Sequence, residues 1–128
     1  NVSRLKKQEI KMTTEKLCQT FLHAAAKRVR KAGLARGTRL EVSTSAVCML
    51  GAMDHCGVTV DYSERKRIET HLAWLLPERP SGKAGDDKYN SYKSELRDPT
   101  NTIAWWSNMV AVDAEDVATK FELAAESC

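Results

Sequence analysis

The residues of this sequence with the clearest chemical potential are the cations of its first third. Residues 1–40 carry eleven Lys/Arg and two Asp/Glu, a net charge of +9, and no acid occurs between residues 16 and 40. Lys and Arg side chains neutralise backbone phosphates without reading base sequence. The pattern therefore predicts a phosphate-contacting surface made of Lys16, Lys27, Arg28, Arg30, Lys31, Arg36 and Arg39.

The charge of the whole chain, +3, conceals an opposite bias at the other end. Residues 98–128 contain six Asp/Glu and one Lys, a net charge of −5, and residues 41–97 have a net charge of −1. A chain that is basic at one end and acidic at the other fits a polyanionic partner, or it fits pairing between its own ends. The sequence leaves both alternatives open.

Residue patterns that mark enzymes are missing from the sequence. It contains no GxxxxGK[ST], GxGxxG, HExxH or GxSxG. In Asp54-His55-Cys56 the residue types suit catalysis, but neighbours on a helix point in different directions. His55, Cys56, Cys18 and His71 do not follow a zinc-ligand spacing. We therefore predict a non-enzymatic protein with no catalytic residue, no metal site and no cofactor.

Four cysteines, Cys18, Cys48, Cys56 and Cys128, permit two disulfides with three connectivities. A chain of 128 residues can bury a core without such bridges, and the first three cysteines lie in apolar patterns. This favours reduced thiols in an intracellular protein, cytoplasmic or nuclear, although a secreted form stays open. No apolar run approaches the roughly 18–20 residues of a membrane span, and no signal peptide is expected.

A helix is predicted to position the cations. Apolar residues recur at spacings of three and four from Cys18 to Ala32, Thr13 or Thr14 can cap the helix, and Gly33 can end it. Residues 1–12 form a basic arm or the first turns of this helix. The remaining cations, Arg36 and Arg39, fall in the loop that follows.

Alternating apolar residues predict two short strands, at about 38–43 and 57–62. Helices are expected at about 46–56 and from Asp61 or Ser63 to Pro77. Residues 77–101 then form a long loop, in which Tyr89 and Tyr92 either stack on bases or pin the loop to the body.

Two more helices complete the chain, one capped by Thr100 or Asn101 and one beginning at Asp113. Adjacent Trp105 and Trp106 cannot both face one core from an isolated helix. We therefore expect Trp105, Trp106 and Met109 to mark an interface, such as one between two copies of the chain; the alternative is that several elements bury both tryptophans.

The stretch from Val29-Arg30-Lys31-Ala32-Gly33 to Val42-Ser43-Thr44-Ser45-Ala46 is similar to the first loop of histone-fold proteins and the helix ends that flank it. The resemblance covers about 20 of the 128 residues and implies phosphate contacts to DNA. It also implies a long central helix running well past Gly57, where Val58-Thr59-Val60 instead favours a strand.

Together these patterns predict one mainly α domain over residues 13–128, with α+β as the alternative, built from four or five helices. The predicted function is nucleic-acid binding through phosphates, with RNA and DNA equally open. The alternative is an interaction or assembly module, in which the basic helix pairs with an acidic helix of its own chain, of a second copy or of another partner.

Overall fold

The computed structural model describes residues 13–77 and 98–128. They form a small, mainly helical single domain, as predicted. Its elements are α1 (Thr14–Ala32), α2 (Met49–Asp54), α3 (Tyr62–Trp74), α4 (Pro99–Trp105), a π-helical turn (Trp106–Val110) and α5 (Ala114–Glu126). The predicted arm 1–12, most of the predicted loop 77–101, and Tyr89 and Tyr92 lie outside the described residues.

Helix α1 has the ends that its sequence predicts. The Thr13 side chain accepts a hydrogen bond from the backbone N–H of Lys16 at 3.2 Å, which satisfies one of the free donors of the first turn. At the other end Gly33 adopts φ 87° and donates its N–H to the Val29 carbonyl. Glycine reaches this positive φ without steric cost, so the chain can leave the helix here.

The core is centred on the antiparallel packing of α1 against α5. The antiparallel direction follows from two contacts, Arg30 with Glu115 at one end and Cys18 with Cys128 at the other. The buried side chains between these contacts include Phe21, Leu22, Val29, Val117 and Phe121. Fully burying side chains of this size contributes about 1.5–3 kcal/mol each. Helix α2 packs on α1, and α3 packs mainly on α4.

The two predicted strands are not formed in the described part of the chain. Within 38–43 the structure has a single bridge, Leu40 to Val47, because the backbone turns back at once: the Ser45 N–H donates to the Glu41 carbonyl at 2.8 Å. Residues 57–61 are not paired as a strand, and α3 begins at Tyr62. Their alternation reflects half-buried Val58 and Val60 on either side of exposed Thr59.

The long central helix that the histone-fold resemblance implies is not formed in the described part of the chain, since α2 spans six residues and stops at Asp54. Its start is fixed from outside the helix, because the buried Ser107 hydroxyl accepts the Met49 N–H at 2.9 Å. The first turn of this short helix therefore depends on a side chain from a distant part of the sequence.

The tryptophan-containing segment is organised differently from the prediction. Asp98, rather than Thr100 or Asn101, caps α4, with Pro99 at the first helical position. Trp106 is buried, with its ring 5.8 Å from Lys120 Nζ, and Trp105 is half-buried against the core. The two tryptophans thus belong largely to the body of the domain, whereas Met109 is 74% exposed.

The cysteines are not all reduced in this structure, contrary to our expectation. Cys18 and Cys128 form a disulfide, with their Cα atoms 6.0 Å apart, while Cys48 and Cys56 remain free thiols. The antiparallel packing explains the pairing, because it brings the first turns of α1 to the end of α5. Sequence spacing could not reveal a contact between residues 110 positions apart.

No described helix is long and apolar enough to cross a membrane.

Candidate nucleic-acid interface

Arg30, one of the predicted phosphate ligands, is paired inside the domain. Its guanidinium binds the Glu115 carboxylate at 2.6 and 2.9 Å and the Glu122 carboxylate at 2.7 and 3.0 Å. Two bidentate pairs of this kind fix both the position and the plane of the guanidinium. The basic helix α1 and the acidic helix α5 of the same chain therefore meet at Arg30.

We expect this cluster to make the stability of the protein depend on acid pH. Hydrogen bonds from Arg30 hold the pKa values of the Glu115 and Glu122 carboxyls below their ordinary value, and the pKa of Arg30 is raised in turn. A carboxyl with a lowered pKa stabilises the fold at neutral pH, and that contribution is lost as the pH falls through its folded pKa.

We therefore expect R30Q to reduce the pH dependence of stability on the acid side. In the unmodified protein the unfolding free energy should fall as the pH decreases from about 4.5, and in the variant this decline should be shallower. Urea denaturation at pH 7, 4 and 3 measures the difference. Because the cluster is solvent-exposed, the effect at neutral pH should be small. Parallel pH profiles for the two proteins would contradict this role for the cluster.

Arg36 also forms its hydrogen bonds within the domain. Its guanidinium donates to four backbone carbonyls at the end of the π-helical turn, those of Ser107, Asn108, Ala111 and Val112, at 2.6–3.3 Å. The neighbouring Gly37 N–H donates to the Asn108 side chain at 3.0 Å. Because the last carbonyls of a helix lack N–H partners within it, Arg36 acts as a C-terminal cap where the chain leaves that turn.

Arg39 belongs to a third internal network. It pairs with Asp54 at 2.8 Å, and the other oxygen of Asp54 pairs with Arg65 at 2.9 Å. Arg65 also binds the buried Glu69 at 2.7 Å, and the Thr100 hydroxyl donates to Glu69 as well. A carboxylate that is 4% exposed needs such partners, so this network holds α3 on α2 and α4.

The remaining predicted ligands lie on α1. Lys16, Lys27 and Lys31 are exposed, and none of them has an acidic partner among residues 13–77 and 98–128. At 100° per residue the three lysines fall within about 60° of one another and span about 22 Å along the helix. We call these three residues the lysine face. Arg28, also in α1, is half-buried and lies outside this face.

A shallow groove of about 240 Å³ lies apart from the lysine face. It is lined by Phe21, Met53, Asp54, Val58, Thr59, Val60 and Arg65. The nearby Cys56 thiol donates to the Val58 carbonyl at 3.7 Å, and burial raises its pKa. Such a thiol stays protonated at neutral pH and is a poor nucleophile. The described residues contain no group of three metal-ligating side chains.

The sequence patterns did not reveal the acidic partners of the arginines. Glu115 and Glu122 lie seven residues apart on one side of α5, and this spacing is the signal that could have identified them. Asp54 and Glu69 carry no comparable signal, because their importance depends on tertiary contacts with Arg39, Arg65 and Thr100.

Comparisons with known proteins identify the chain by family. No curated protein and no solved structure matches it. A family model described as a family of unknown function, DUF6197, matches residues 13–127. This match includes every helix described above, from the start of α1 to the end of α5. The chain therefore belongs to the DUF6197 family of unknown function.

Proposed function

We propose that this protein is a non-enzymatic nucleic-acid-binding protein that contacts phosphates through the lysine face of α1. The observation that supports the proposal is the contrast among its cations. Arg30, Arg36 and Arg39 each have acidic or carbonyl partners within the domain, whereas Lys16, Lys27 and Lys31 are exposed without an acidic partner in the described part of the chain.

The spacing of the lysine face suits a phosphate backbone. Lys27 and Lys31 lie one helical turn apart, about 6 Å along the axis, and Lys16 lies about 16 Å from Lys27. Flexible lysines can contact phosphates at such intervals without a fixed register, so little base specificity is expected. As a nucleic-acid-binding protein it would act in an intracellular compartment.

The location of α5 limits the strength of this binding. Glu115 and Glu122 flank α1, and Arg30 offsets part of their charge. A ligand that approaches the lysine face from the side away from α5 avoids these carboxylates. We therefore propose an interface of about three phosphate contacts, which is weak and strongly dependent on salt.

We expect binding to RNA and to DNA to follow the salt dependence of three contacts. The logarithm of the association constant should fall with the logarithm of salt concentration with a slope of about −2.7 for duplex DNA. In the variant K27Q/K31Q the slope should fall to about −0.9. Fluorescence anisotropy with labelled RNA and DNA oligonucleotides at several salt concentrations measures both slopes.

A matched control separates this face from general charge effects. R67Q removes an exposed cation from α3, whose partner in the structure is Glu64 at 3.4 Å, and it should leave the slope unchanged. Absence of binding at low salt, or equal losses in R67Q and in K27Q/K31Q, would refute the proposal.

The alternative function, an assembly module, is supported by a different surface. Met109, Val110 and Val112 are 74%, 41% and 77% exposed and lie close together in sequence, at and just after the end of the π-helical turn. Exposed apolar groups in sequence often mark protein contacts. Light scattering on the same samples distinguishes the alternatives, because a strict monomer that binds oligonucleotides excludes self-assembly through this surface.

A further inference from the structure

One end of the domain brings together the start of α1, the last turn of α3 and the end of α5. Cys18 of α1 is buried and is bonded to the half-buried Cys128. His71 of α3 lies beside them, with its Nε2 atom 2.8 Å from the Ala124 carbonyl and 3.1 Å from the Ser127 hydroxyl. The disulfide is therefore part of a contact among three helices.

The last residues of α5 are held differently from the rest of the helix. Val117, Phe121 and Ala124 are fully buried, so apolar packing anchors most of α5 to the core. After Ala125 the backbone hydrogen bonds lengthen to 3.2 Å for the Ser127 N–H and 3.4 Å for the Cys128 N–H. Glu126 and Ser127 are exposed. The covalent bond to Cys18 is thus the strongest described restraint on residues 126–128.

We propose that the Cys18–Cys128 disulfide is a reversible redox latch on the end of α5. When the bond is reduced, residues 126–128 detach and expose the Cys18 thiol and the His71 ring, while Val117 and Phe121 keep the remainder of α5 in place. The latch differs from a bridge that maintains the whole fold, because a separate apolar core already joins α1 to α5. It does not depend on the proposed nucleic-acid binding.

The burial of the two cysteines indicates how a cellular thiol such as glutathione opens the latch, because Cys18 is buried and Cys128 is half-buried. A glutathione thiolate attacks Cys128 Sγ, the sulfur of the less buried residue, and forms a mixed disulfide there. The bond to Cys18 breaks, and the Cys18 thiolate leaves and takes up a proton. A second glutathione thiolate then attacks the glutathione sulfur of the mixed disulfide and releases the Cys128 thiolate, which is protonated. Two glutathione molecules are oxidised to one glutathione disulfide, and the protein disulfide is reduced to two thiols.

The latch is tested by mass spectrometry of the protein in glutathione redox buffers, combined with amide hydrogen exchange. We expect the mixed disulfide on Cys128 and not on Cys18. Amides of residues 126–128 should exchange about tenfold faster or more after reduction, with α1 and residues 114–121 unchanged. C128S should show the fast exchange without any reductant. C56S, which removes a free thiol elsewhere, should behave like the unmodified protein in both states.

Each of the following three outcomes would overturn the latch. Unchanged exchange after reduction would mean that the bond does not hold the end of α5. Loss of protection throughout α1 and α5 would make the bond a staple of the whole fold. Alkylation of both Cys18 and Cys128 after incubation in oxidised glutathione would show that the pair does not form a disulfide.

Discussion

Replacing Gly51 with alanine is expected to destabilise the protein by about 3 kcal/mol or more. Gly51 lies inside α2, where alanine is normally favoured over glycine by about 1 kcal/mol. Here, however, an added Cβ would collide with the Arg39 backbone, with its carbonyl oxygen as the nearest atom. Backbone atoms on both sides of this contact cannot move away as a flexible side chain can, so the steric cost outweighs the gain in helix propensity.

Urea or thermal denaturation measures this effect, and G37A provides the control. Gly37 has φ 75°, and a Cβ at that position would meet no atom within 4 Å. Its replacement should therefore cost about 1–2 kcal/mol, which reflects backbone conformation without a collision. If G51A is as stable as the unmodified protein, the loop at Arg39 does not rest directly on α2. A loss in G51A no greater than in G37A would lead to the same conclusion.

Replacing Arg36 with lysine should destabilise the protein by about 2–3 kcal/mol although the charge is retained. The planar guanidinium reaches four carbonyls at once, at 2.6–3.3 Å, and a single ammonium cannot reproduce that fork. The carbonyls of Ser107 and Ala111 belong to buried residues, so their loss of a donor is costly.

The matched control for this experiment is R39K. Arg39 is half exposed and pairs with Asp54, so its replacement should cost about 1 kcal/mol or less. Chemical denaturation of the two variants compares a capping arginine with a surface ion pair. Equal stability losses would show that the carbonyl contacts of Arg36 contribute little. Retained stability in R36K together with lost oligonucleotide binding would instead assign Arg36 to the phosphate interface.

Sequence patterns predict the helices of this protein well and their partners poorly. Thr13, Gly33 and Asp113 act at helix ends as predicted, because capping depends on neighbours within a few residues. The strand at 57–62 is wrong because alternation of Val58 and Val60 records burial, not pairing. A strand also needs a second segment to accept its hydrogen bonds, and no local pattern shows whether one is present.

In the candidate site, too, the sequence predicts features of a single helix better than contacts between helices. The exposure of Lys16, Lys27 and Lys31 agrees with a helical pattern that placed them opposite the apolar stripe. The contacts of Arg30, Arg36 and Arg39 could not be predicted, since their partners lie between 15 and 92 positions away in sequence. A count of positive charges does not distinguish a cation that faces solvent from one that joins two helices.

The antiparallel pairing of α1 with α5 also has a consequence for synthesis on the ribosome. The apolar side of α1, with Phe21, Leu22 and Val29, is made early, but Val117 and Phe121, which cover it, are made about 90 residues later. At the usual rates of translation that delay lasts several seconds or more. During this interval the surface of α1 that α5 covers must remain exposed or be shielded by a chaperone, and the native core can close only after α5 has emerged.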